Sequence, residues 1–134
     1  MSNIIFLVDD NAVSLNAGKM VLQGNYTVVT IPSGAELLLI LEKIKPDLIL
    51  LDTEMPGLDG YETIKALKSN GKTKDIPVIF LTKQTKPKHE FFWFSLGAVD
   101  FITKPFSPPR LLKQVELHLL LQSQKNELRK YKER

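Results

Sequence analysis

Residues 46–62 read PDLILLDTEMPGLDGYE. The apolar run from Leu48 to Leu51 leads into a single carboxylate, Asp52, and a turn follows at Met55-Pro56-Gly57. A strand that is apolar on both faces must be buried on both, as in parallel sheets covered by helices. Asp59 stands three residues ahead of Glu62, the spacing of a capping box, so a helix starts directly after the turn. Asp52 therefore sits at the carboxyl end of a buried strand, the edge where open α/β sheets bind ligands. A carboxylate in that place can be a metal ligand, a nucleophile, or only the residue that ends the strand.

The same alternation extends in both directions. Ile4 to Val8 is strand-like and ends at Asp9-Asp10. A helix is expected from about Ala12 to Gln23, burying Val13, Ala17, Met20 and Val21 and stopped by Gly24-Asn25. Tyr26 to Thr30 reads as the second strand. Ser33 and Glu36 repeat the capping spacing and start a helix expected to reach about Lys45, where Pro46 ends it. After the opening stretch, a helix runs from about Gly60 to Ser69. Ile76 to Leu81 is the fourth strand, with Pro77 tolerable only near its start, and it ends at Thr82. A helix of about Lys88 to Leu96 is closed by Gly97. The fifth strand spans Val99 to Thr103 and is broken by Lys104-Pro105. Ser107 before Pro108 is an N-cap followed by proline at the first helical position, and the last helix runs to at least Leu121. Five strand–helix units with connections this short predict parallel strands with right-handed crossovers, an α/β doubly wound sheet with helices on both faces.

A length of 134 residues suits one domain with one core. The absence of cysteine excludes disulfides and thiolate metal sites. No apolar run is long enough to span a bilayer and no signal peptide opens the chain, so a cytoplasmic protein without membrane contact is expected. Residues 122–134 carry 5 basic and 2 acidic groups, and the other 121 residues carry 13 of each. The pI near 9.1 is thus a property of the tail, and the body has no charge excess that would mark a nucleic-acid binder.

Parallel packing collects the strand ends on one edge: Asp9-Asp10, Asp52, Thr82 and Lys104. Each alone is ordinary, as a loop start, a turn residue, a helix cap or a solvated lysine. Together they crowd three carboxylates. Like charges 4 Å apart repel by roughly 4 kcal/mol at an effective dielectric of about 20. A divalent cation relieves that, and Mg2+, which accepts one or two carboxylates with water and phosphate oxygens, is the expected one. Lys104 supplies a second, fixed positive charge.

This ordered set resembles the receiver domain of two-component response regulators: the Asp9-Asp10 pair, Asp52 in LILLDTEMPGLDGYE, Thr82 in VIFLT and Lys104 in FITKPF. The resemblance covers about residues 3–121. It implies the flavodoxin-like (βα)5 fold with strand order 2-1-3-4-5, a receiver domain over 1–121, and a basic helical extension or linker over 122–134. It implies that Asp52 accepts a phosphoryl group from a sensor histidine kinase or phosphotransfer protein, without the chain being an enzyme in the ordinary sense. Asp10 would ligate Mg2+ directly, Asp9 mainly through water, and the main-chain carbonyl of Glu54 would be a further ligand. Thr82 and Lys104 would bond the phosphoryl oxygens, and the Lys104-Pro105 peptide would be cis. Thr82 and Phe101 would act as the switch, altering the face made by the fourth helix, fifth strand and fifth helix. That face would govern a homodimer, an output domain or another partner.

Some residues depart from the family pattern or stand outside it. Lys83 occupies a place usually given to a small residue; it either reaches over the phosphoryl group or extends to water. Glu54 and Gln84 hold the variable positions that resemble those tuning the phosphate's lifetime. Phe91-Phe92-Trp93-Phe94 cannot all lie on one helix face; Phe94 and one neighbour are expected in the core and the others exposed. His89 and His118 have no metal-site spacing. Leu117, Leu121, Gln124, Leu128 and Tyr131 alternate by four and three, a seam along an extended last helix. Three competing readings explain less. An aspartyl-phosphate phosphohydrolase wants a second Asp where Glu54 stands, a flavin binder wants a hydroxyl-rich loop where Asp9-Asp10-Asn11 stands, and a purely binding module needs no such complete set.

Overall fold

The chain is described here by a computed structural model covering residues 3–83 and 92–132. Its strands are β1 (Ile4–Val8), β2 (Thr27–Ile31), β3 (Leu48–Asp52), β4 (Val78–Thr82) and β5 (Asp100–Thr103). The helices are α1 (Ala12–Leu22), α2 (Gly34–Ile40), α3 (Gly60–Lys68), the helical residues 92–95, termed α4, and α5 (Pro108–Lys132). All strand pairs are parallel, in the order β2-β1-β3-β4-β5. This is the doubly wound sheet expected from the sequence. Gln84, His89 and Phe91 lie outside the described residues.

The core divides by strand pleat. Successive side chains point to opposite faces, so Ile5, Leu7, Leu48, Leu50, Ile79 and Leu81 pack with Leu22 of α1 and with Leu111 and Val115 of α5. Phe6, Val8, Ile49, Leu51, Val78 and Phe80 pack with Leu37 of α2, Ile64 and Leu67 of α3, and Trp93 of α4. Every residue of β3 is buried, which is what an unbroken apolar run demands of the central strand.

The capping signals at Ser33 and Asp59 work as read. Ser33 Oγ accepts from Glu36 N at 3.1 Å, and Asp59 Oδ1 accepts from Glu62 N at 2.9 Å. Three expectations need correction. First, α1 buries Gly18 and Leu22 with Leu15 alongside, while Val13 and Met20 are 79% and 67% exposed and Ala17 is exposed too. Gly18 is where α1 meets the sheet: a Cβ there would lie 2.6 Å from Leu7 Cδ2. A pattern search for large apolar residues passes over the position of closest contact.

Second, α2 stops at Ile40 rather than near Lys45. The chain tightens into turns, with Glu42 N bonded to Leu39 O and Lys43 N to Ile40 O. It has to reach β1, where Ile4 N donates to Asp47 Oδ2 at 2.7 Å and Asp47 N to Ile4 O at 2.8 Å. Third, the core aromatic of α4 is Trp93, fully buried, and not Phe94, which is 47% exposed. Trp93 has both an apolar bed and a polar partner. Its ring packs against Phe80 and Phe101, and its Nε1 donates to Tyr61 Oη at 3.0 Å.

Gly60, the first residue of α3, abuts the end of β3. A Cβ on Gly60 would lie 2.4 Å from the carbonyl oxygen of Asp52 and 2.7 Å from Thr53 Cα, both backbone atoms that cannot rotate away. Alanine gains about 1 kcal/mol of helix propensity, but forced overlap in a packed region costs about 1–3 kcal/mol. Gly60→Ala is expected to lower the unfolding free energy by up to about 2 kcal/mol in urea titration. Gly24→Ala, with nothing within 4 Å, serves as the control. Equal midpoints for the two variants would contradict the close approach of α3 to β3.

Candidate functional site

Four strands deliver the site. β1 ends at Val8, and Asp9 N continues the ladder by donating to Ile31 O at 3.1 Å, which holds Asp9 fully buried. Asp9 Oδ1 accepts from Asn11 N at 2.9 Å. Asn11 in turn caps α1, its Oδ1 accepting from Val13 N at 2.8 Å and Ser14 N at 3.1 Å. Asp52 closes β3, 5% exposed, with its Oδ1 accepting from Glu54 N at 3.2 Å. Asp10 is exposed at the mouth. One carboxylate oxygen from each of Asp9, Asp10 and Asp52 comes within 4.8 Å of the others.

Lys104 arrives from the opposite side. Its backbone N donates to Thr82 O at 2.8 Å, prolonging the β4–β5 pairing, and the Lys104-Pro105 peptide is cis as expected. The ammonium forms a short ion pair with Asp9 Oδ2 and lies 3.3 Å from Asp52 Oδ2. Three carboxylates against one ammonium leave two negative charges in a largely buried cluster. Burial, above all, pushes the Asp52 carboxyl up to about 6; the Glu54 N–H pulls it down, the Asp9 charge raises it, and Lys104 lowers it.

The donor set consists of oxygens, buried on one side and open on the other, with an excess of two negative charges. That is the chemistry of a hard divalent cation, and Mg2+ fits it. The open side is a cavity of about 330 Å3 lined by the three aspartates, Lys104, Glu54 and Lys83, with Asn11 and Ser14 on the α1 side. Lys83 and Glu54 are exposed. Thr82 is buried at the end of β4, beside this lining rather than in it, and pairs in register with Thr103. Phe101 is partly buried, its ring centroid 5.3 Å from that of Trp93 and 6.4 Å from that of Phe94.

Asn11 and Ser14 were not named as site residues from the sequence. Their signal was available: an Asn at the N-cap directly after Asp9-Asp10, with Ser14 three residues on, faces whatever the aspartates face. His118 also has a defined place. Its Nε2 is 2.9 Å from Asp100 Oδ2, while Gln114 Nε2 donates to the same oxygen at 3.0 Å and to Phe101 O at 3.2 Å. No local spacing relates residues 14 and 18 apart on a helix and a strand.

The sequence profile of the response regulator receiver domain matches residues 5–116. The chain is 42% identical over 115 residues to a probable cyclic di-GMP phosphodiesterase of Vibrio cholerae, covering 86% of this chain and 26% of that protein. It is 31% identical over 120 residues to the DNA-binding response regulator MtrA of Mycobacterium tuberculosis, covering 89% of this chain and 51% of that protein. It thus spans between about a quarter and a half of these curated relatives. A putative response regulator from Chloroflexus aurantiacus superposes with a TM-score of 0.85 at 32% identity, covering 90% of this chain and 99% of that one. The chemotaxis protein CheY4 of Vibrio cholerae gives a TM-score of 0.82 at 31% identity, covering 87% and 98%. With profile, relatives and fold in agreement, the chain belongs to the response regulator receiver domain family, the phosphorylation-dependent signalling module of two-component systems.

Proposed function

We propose that Asp52 is the phosphoacceptor of this receiver domain and that Lys104 and Thr82 bond the phosphoryl oxygens. Asp9, Asp10, Asp52 and the main-chain carbonyl of Glu54 would hold Mg2+, whose chemistry is to neutralise charge on the transferring phosphoryl group. The observation that carries the reading is the convergence of three carboxylates with one ammonium bridging Asp9 and Asp52. A carboxylate oxygen of Asp52 attacks the phosphorus of a phosphohistidine on a sensor kinase or phosphotransfer protein. The P–N bond breaks, its electron pair leaves with the imidazole, which takes a proton, and Asp52 holds an acyl phosphate. Lys104, already 3.3 Å from Asp52, bears on the new anionic oxygens, so little reorganisation is needed. Water later returns the free carboxylate. Glu54 and Lys83, on the cavity wall, and Gln84 are the residues proposed to set that lifetime.

The output step runs through Thr82 and Phe101. Pleat alternation puts Thr82 on the same sheet face as Val78 and Phe80, and Phe101 is the register partner of Phe80. Drawing the Thr82 hydroxyl toward a phosphoryl oxygen frees space beside Phe101 on the face of α4, β5 and α5. A shift between two packings of that face would control a homodimer, an output domain or another partner. The remainder of the reading is a receiver body over 1–121 and a basic helical extension over 122–134, working in the cytoplasm. Among the described residues no helix is long and apolar enough to cross a membrane.

Intact mass after incubation with acetyl phosphate and Mg2+ tests the chemistry. One added phosphoryl group on the wild type and none on Asp52→Asn is the expected result; equal labelling of both moves the acceptor elsewhere. The raised Asp52 carboxyl gives a second test in metal-free protein. A carboxyl raised on folding binds its proton more tightly in the folded chain, so stability falls as pH rises from the ordinary value of 3.8 through about 6. Above that window the cost is about 2–3 kcal/mol. Asp52→Asn in EDTA should therefore be more stable than wild type at neutral pH by about 1–3 kcal/mol, with the gap closing toward pH 4. A constant gap across the range would contradict the burial of this carboxylate.

A further inference from the structure

The 25-residue helix α5 is far longer than its seat on the sheet requires. Leu111 and Val115 are buried beneath it, and Arg129 Nη1 reaches Asp75 Oδ2 at 3.5 Å, so one side of α5 faces its own body along most of its length. The opposite side carries an apolar stripe. Leu117, Leu121, Leu128 and Tyr131 are 48%, 42%, 57% and 73% exposed, at steps of four and three with Gln124 completing the series. At about 100° per residue this stripe points away from the Leu111–Val115 side.

Read as a heptad, Leu121 and Leu128 are a positions, and Leu117, Gln124 and Tyr131 are d positions. Lys125 and Lys132 then fall at e, and Leu120 and Glu127 at g. In a parallel in-register pair each g residue meets the e residue five places on in the other helix. Glu127 would meet Lys132, and exposed Leu120 would lie along the stem of Lys125. An antiparallel pair would set e against e, lysine facing lysine. Isolated helices of two heptads are marginal because nucleation is costly. Here the first half of α5 is fixed by the core, so the second half is a propagation of a helix already formed.

We propose that this stripe is the contact for a second copy of the chain, the two α5 extensions pairing in parallel and in register. The contact needs no phosphoryl group and stands independently of the role given to Asp52. Sedimentation velocity of the full, unphosphorylated 134-residue chain tests it. The wild type should form a dimer that grows with concentration. Leu121→Glu with Leu128→Glu should weaken dimerisation by more than about tenfold, with circular dichroism confirming retained helix. Glu127→Lys, at an exposed position that does not threaten folding, should weaken it by about fivefold, and adding Lys132→Glu should restore it. Tyr131→Cys introduces the sole thiol of the chain and should give a disulfide-linked dimer on mild oxidation. A wild type that stays monomeric at its highest soluble concentration would overturn the proposal. So would a dimer indifferent to the leucine pair, or one that persists while Tyr131→Cys fails to cross-link.

Discussion

The repulsion among Asp9, Asp10 and Asp52 is the constraint on which this protein turns. Nothing in hydrophobic packing calls for three carboxylates within 4.8 Å at the edge of a sheet, and burial makes the arrangement costly. One ammonium, that of Lys104, is brought in from the far strand to offset part of it by contacting Asp9 and Asp52 together. The balance left is negative, the charge that a divalent cation would offset.

The rest of the fold holds that arrangement rigid. β3 is buried along its whole length, so Asp52 cannot retreat without moving the central strand. Asp9 is tied by the bond from its N–H to Ile31, and Lys104 by the bond from its N–H to Thr82. Asn11 caps α1 beside the cavity, and Gly60 lets α3 close against the end of β3. The acidic cluster gathers at the carboxyl edge of the sheet, while the pleat puts Thr82 on the face that Phe101 shares with Trp93.

What the sequence disclosed, and what it hid, follows from the range of each interaction. Strand identity, the caps at Ser33 and Asp59, and the convergence of strand ends are consequences of local patterning plus parallel topology, and all were legible. The family's ordered set of five residues was legible for the same reason. The buried face of α1 was not, because Gly18, a residue without a side chain, makes its closest contact. Phe94 was placed in the core and Trp93 not singled out, because Trp93's partner is Tyr61, 32 residues away in the chain, accepting the indole N–H. The bond between His118 and Asp100 likewise joins elements whose register no single stretch encodes.

Carboxyl carbon chemical shifts of Asp52, followed by NMR across pH with and without Mg2+, test the central claim most directly. A midpoint near 6 in metal-free protein and a clear downward displacement when Mg2+ is added are expected. A midpoint at the ordinary carboxylate value that Mg2+ leaves unmoved would mean that Asp52 is neither buried in an acidic pocket nor shares a cation.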